Sequence, residues 1–285
     1  MRISSLFFGG MLLALSFVSC EEEPPSGLKF KERPLLDTTY LSAAPTAQTK
    51  QVLLIDVTGV RCNNCPRAAE KAFAIEDANP NKLQILAIYP NYGTLSKPWP
   101  NMDTLVTKDA DDLVGTLGTV TNLPLGIIDN VSYNGKYLID ENSWSIVVDQ
   151  QKVKTTPINL VLKGKWLPDE DKGRIEIKAI ANTAIPSSTK LNWVIAILED
   201  DMVGWQSTAN GVEESYKFKH VLRKLVTSAY GDPLTIGMPA GFTTEKHYYI
   251  PRVAKWKADK LSCMVWILDA DTKEVLQVNK VKFIP

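Results

Sequence analysis

Two cysteines three residues apart, Cys62 and Cys65, stand in "LIDVTGVRCNNCPRAAEKA" between an apolar run and an alanine-rich run. Such a pair can exchange electrons, fill half of a metal site, or staple a loop. A structural zinc site takes four nitrogen or sulfur ligands in paired spacings. Beyond Cys20 the chain offers only Cys263, His220 and His247, none at that spacing, so neither a metal nor a cofactor is expected. There is also no His-Glu-x-x-His and no serine nucleophile elbow, which leaves metallo- and serine-hydrolase chemistry without support. The redox reading has a physical basis. With Cys62 at the mouth of a helix that contains Cys65, free backbone N–H groups and the positive end of the helix dipole favour its thiolate. Arg61 adds a neighbouring cation, and Pro66 fits a first helical turn, where its missing N–H costs little. Two intervening residues let Cys65 resolve a mixed disulfide formed on Cys62. On these residues alone, redox pair and staple both stay open.

The elements around the pair alternate. "QVLLIDV" is a continuous apolar run suited to a buried strand, and "PRAAEKAFAIEDA" carries Ala69, Ala72, Phe73 and Glu76 at helical spacing. "KLQILAIYP" reads as a strand and "KDADDLVGTLGTV" as a helix with an acidic start. "LGIID" and "GKYLID" read as short strands, and "SWSIVVDQQ" as a closing helix. This pattern implies a sheet with helices on its faces. After Pro157 it gives way to seven strand-like runs separated by turn clusters, from "INLVLKGKW" to "VLQVNKVKF", the pattern of a β-sandwich. The expected organisation is a leader over residues 1–20, a flexible tether over 21–49, an α/β domain over 50–155 and a sandwich domain over 156–285. At 285 residues, with 32 basic and 32 acidic side chains, the chain has room for two cores and no net charge to draw nucleic acid.

The leader "MRISSLFFGGMLLALSFVSC" has one cation, an apolar core too short to span a bilayer, then a small residue and Cys20. It resembles a bacterial lipoprotein signal, which implies that Cys20 is the acylated first residue of the mature chain and its lipid anchor. "EEEPPSG" follows, and an acidic run there resembles the surface-export signal of Bacteroidetes lipoproteins.

An apolar strand, Asp56, a six-residue step to Cys62, Cys-x-x-Cys and an amphipathic helix resemble a thioredoxin-fold active site. The resemblance implies that Asp56 lies beneath the pair and takes a proton from the resolving thiol. It also implies that Pro124, ahead of the strand in "VTNLPLGIID", is a cis-proline facing the dithiol, with the backbone of Leu123 pairing an extended substrate peptide. Asn63 and Asn64 replace the Gly-Pro of thioredoxins. The whole mature chain, with "GVRCNNCP" followed by "FKHVLRKLVTSAYGDPL" and "LDADTKEVLQV", resembles the Omp-twenty-eight-related outer-membrane lipoproteins of Bacteroidetes. That implies a thioredoxin-like domain followed by an immunoglobulin-like sandwich, anchored in the outer membrane. With Cys20 acylated, Cys62 and Cys65 are expected as the disulfide and Cys263 as a buried small hydrophobe. His220 and Arg223, expected three apart on one strand, are expected to be structural. Two functions follow as expectations. One is thiol–disulfide exchange on extended peptides, with Cys62, Cys65 and Asp56 catalytic and Leu123 and Pro124 binding substrate. The other is a surface binding or adhesion lipoprotein whose sandwich does the work and whose cysteine pair is structural.

Overall fold

The computed structural model describes residues 36–284; the leader, Cys20 and the acidic run lie outside them. The first element, β1 (Thr38–Leu41), falls inside the expected tether. It pairs with a distant strand, and residues 46 and 48 are tied down further on, where Asn159 bonds the Thr46 carbonyl and the Gln48 N–H. The apolar run becomes β2 (Val52–Val57), followed by α1 (Cys65–Ala78) and β3 (Leu83–Ile88), with β2 and β3 parallel. Next come the one-turn α2 (Gly93–Ser96), α3 (Lys108–Gly115), β4 (Leu125–Ile128) and α4 (Trp144–Gln151). Thr107 caps α3, its hydroxyl accepting from the Ala110 N–H at 3.1 Å. Ten strands follow: β5 (Ile158–Leu167), β6 (Lys172–Ala181), β7 (Ile185–Glu199), β8 (Met202–Thr208), β9 (Gly211–Phe218), β10 (Val221–Leu225), β11 (Asp232–Met238), β12 (Phe242–Pro251), β13 (Leu261–Asp269) and β14 (Val275–Lys282).

One eight-stranded sheet crosses residue 155. Its order is β14-β13-β7-β10-β3-β2-β4, with β11 also on β7. The second sheet is β1-β12-β6-β5, and β8 with β9 makes a separate hairpin. The large sheet is buried on both faces, which is why "NWVIAILE" and "LSCMVWILD" show no alternation. On one face Ile195, Ile197, Val265 and Ile267 meet Ile175 and Ile177 of the second sheet. The same stretch of β7 sends Val194, Ala196 and Leu198 to the other face, into a cluster with Leu53, Ile55 and α3 residues. Helices α1 and α4 cover the remaining part of the sheet through Ala68, Ala72, Val147 and Trp144. The fold is thus mostly β-sheet with four α-helices and three single-turn 3-10 helices among the described residues, none long and apolar enough to cross a membrane.

Several sequence expectations need correction. "GKYLID" is no strand: Ile139 makes one isolated bridge with Gly126, and Tyr133 another with Lys136 across the turn. The apolar stripe of α1 is Cys65, Ala68, Ala72 and Ile75, so Ala69 and Glu76 are not its core positions. "SYKFKHVLRKLV" is two strands, because His220 takes a left-handed φ of 55° between β9 and β10. His220 therefore does not share a strand with Arg223. Its Nδ1 lies 3.1 Å from Asp200, whereas Arg223 lies 3.3 Å from Glu199.

Candidate functional site

Cys62 and Cys65 form a disulfide in the structure, with Cα atoms 5.4 Å apart. Cys65 opens α1 and Pro66 occupies its first turn. Neither a capping side chain nor an acidic residue satisfies that end. The Cys65 N–H bonds the Cys62 carbonyl and Pro66 carries none, so it is the positive end of the helix dipole beside the pair that favours a thiolate on reduction. Gly59 is required by close approach: a Cβ there would lie 2.6 Å from the Leu95 carbonyl and 2.9 Å from the Leu123 side chain. This contact brings Leu123 against the cysteine loop, and the Leu123–Pro124 peptide is cis.

Asp56 lies on the α1 side of β2, 3% exposed, opposite Ala87 of β3 and Gly126 of β4. Asp56 and Cys65 line one narrow cavity of about 20 Å³, room for roughly one water. Oδ1 of Asp56 has no hydrogen-bond partner. Burial, with the nearby Glu141 charge adding to it, pushes the carboxyl up to about 7. Tyr216, lining the same cavity, is pushed up to about 12 by its own burial and then by Asp56. Glu141 is itself buried and ion-paired with Arg67 at 2.6 Å. A carboxyl that titrates near neutrality, in one cavity with a cysteine, is suited to accept and return a thiol proton.

The pair is covered by an element from the other half of the chain. Gln206 of β8 is buried, and its amide donates to the carbonyls of Gly59 and Cys62, both at 3.2 Å, and of Ser207 at 3.0 Å. The Ser207 N–H adds a bond to the Val60 carbonyl at 2.9 Å. Arg61 does not face the sulfurs. It bonds the Lys97 and Pro98 carbonyls and stacks on Trp99, which in turn packs on Trp205 of β8. Under this cover Cys62 is 3% exposed and Cys65 1%.

Of the residues the sequence marked, Cys62, Cys65, Asp56 and Leu123 meet here, with Pro124 joined to Leu123 by the cis peptide, while Cys263 is buried and unpaired in β13. Sequence reasoning missed Gln206, Glu141 and Tyr216, and with them Tyr89, which lines the same cavity as Asp56 and Cys65. Glu141 and Gln206 left only the weak signal of a polar residue that proves buried; nothing in the spacing tied them to Cys62.

The family model described as "Outer membrane protein Omp28" matches residues 118–284, more than half of the chain. The chain belongs to the Omp28 family. It is an outer-membrane protein accordingly. Among solved structures, HBP35 of Porphyromonas gingivalis is similar in fold, with a TM-score of 0.64 at 18% identity, covering 86% of this chain and 77% of that one. Protein AGR_C_4864 from Agrobacterium tumefaciens has a TM-score of 0.50 at 14% identity, covering 82% and 95%. A domain of the outer membrane lipoprotein Omp28 from Porphyromonas gingivalis gives 0.30 at 18% identity, covering 46% and 90%. No curated protein matches the chain.

Proposed function

We propose that this Omp28-family protein is a lipid-anchored thiol–disulfide exchange protein of the outer membrane, tethered through acylated Cys20. Residues 50–155 are read as a thioredoxin-like domain and 156–285 as an immunoglobulin-like sandwich, the two sharing one sheet. The observation that carries the reading is Asp56, raised to about 7 in one cavity with Cys65. In the reduced protein the Cys62 thiolate attacks a substrate disulfide and expels one substrate thiolate. Cys65, passing its proton to Asp56, then attacks Cys62, releasing the second substrate thiolate and restoring the Cys62–Cys65 disulfide. The oxidised form runs the same steps backwards on a substrate dithiol. An extended peptide would lie along Leu123 and Pro124, which requires β8 and β9 to move off the pair.

Replacing Cys65 by Ala should trap mixed disulfides through Cys62. A reduction potential between about −120 and −270 mV supports exchange, and one below about −300 mV supports an inert staple. The clamp by Gln206, which leaves Cys62 3% exposed, favours that second reading, a surface binding or adhesion lipoprotein with its sandwich as the working part.

A further inference from the structure

We propose that His247, Glu245 and Glu176 form a site for a divalent transition metal of the zinc class, with Asp37 orienting the histidine. The three lie far from the cysteines, on the outer face of the four-stranded sheet. Strands β6 and β12 are antiparallel, with His247 opposite Glu176 and Glu245 opposite Lys178. Period-two alternation puts Glu245 and His247 on one side of β12, and Glu176 on the side of β6 away from the Ile175 and Ile177 core. One ligand atom from each of the three lies within 4.8 Å of the others.

The histidine is what points to a ligand. Its side chain is only 4% exposed, yet neither ring nitrogen has a hydrogen-bond partner. Leaving two buried imidazole nitrogens unmet is costly, and both are aimed at carboxylates. Nε2 is 3.5 Å from Glu245 Oε1 and Nδ1 is 3.6 Å from Asp37 Oδ1, each too long for a good hydrogen bond. Asp37 is held by the backbone, its Oδ1 accepting the His247 N–H at 3.0 Å. A metal-bound histidine commonly presents its second nitrogen to a carboxylate in this way, which fixes the tautomer.

The carboxylates are engaged by cations without being used up. Lys178 sits 2.8 Å from Glu245 Oε2, leaving Oε1 toward the histidine. Arg174 lies 3.1 Å from Glu176 Oε1, which leaves that residue a second oxygen. An imidazole with two carboxylates suits Zn²⁺ and its neighbours in the first transition row better than Ca²⁺ or Mg²⁺. Tetrahedral bonds of about 2.1 Å put ligand atoms roughly 3.4 Å apart, so binding draws the three side chains inward by rotamer adjustment. Three protein ligands leave one position open to water or to a donor from outside.

The test is a Zn²⁺ titration of the full chain, chelator-stripped beforehand and with the Cys62–Cys65 disulfide kept oxidised so that thiolates do not compete. One Zn²⁺ should bind per chain, and His247→Gln, Glu245→Gln and Glu176→Gln should each weaken binding at least tenfold. In the unsubstituted chain, which has two histidines, the imidazole NMR signals of His247 should move with one equivalent of Zn²⁺ while those of His220 stay. That second measurement decides the matter where a variant does not fold. No saturable binding, binding that folded variants retain undiminished, or a His247 signal indifferent to Zn²⁺ overturns the site and leaves an adventitious ion only.

Discussion

Asp56→Asn isolates the carboxyl beneath Cys65 with almost no change of shape. Burial takes its pKa from an ordinary 3.8 to about 7, so between those values the folded protein holds a proton that the unfolded chain has released. Stability then falls as pH rises through this window, with no penalty below about 3.8 and the full penalty above about 7. At about 1.4 kcal/mol per pKa unit, the cost at pH 8 is on the order of 4 kcal/mol. Asparagine has no charge to bury. The variant should therefore match the wild type near pH 4 apart from a constant offset, and gain on it by up to that amount by pH 8. Urea unfolding of both full-length proteins at pH 4, 5, 6, 7 and 8, disulfide intact, measures the difference directly. Stability curves that stay parallel across the range would refute the buried, proton-holding carboxyl and remove its support for thiol chemistry.

Three further outcomes follow from the packing. Gln206→Ala removes the amide that holds β8 on the cysteine loop, and at about 1 kcal/mol net per hydrogen bond it should speed phosphine reduction of the disulfide by roughly five- to thirty-fold; an unchanged rate would show that the hairpin does not gate the pair. Gly126→Ala puts a Cβ 2.2 Å from Nε1 of buried Trp144, so it should cost about 1–3 kcal/mol in urea unfolding by overpacking. Lys50→Met strands Asp129, which is fully buried and 2.8 Å from the ammonium, and should cost about 3–5 kcal/mol at neutral pH, read from the same unfolding midpoint.

Local pattern made part of this protein legible. Short apolar runs marked β2, β3 and β4, and longer segments with helical spacing or an acidic start marked α1, α3 and α4, because local composition and side-chain direction are set within a few residues. The Cys-x-x-Cys with Pro66 marked the helix mouth, and the step from Asp56 to Cys62 marked a strand running into it. Where a contact spans the chain, that information stops. β1 is held by β12, some two hundred residues on, so "TTYL" carried no mark of it. Nothing near Cys62 indicates that Gln206 closes over it, since their bond spans 144 residues. His247 and Glu176 become neighbours only through the register of β12 on β6. The sequence by itself determined where the thiols, carboxyls and imidazoles stand along the chain. Tertiary structure alone decided that Asp56 is desolvated, that the disulfide is covered and that one sheet runs through both halves. Burial and strand register depend on which distant segments meet, and the energies that select those meetings are sums over the whole core.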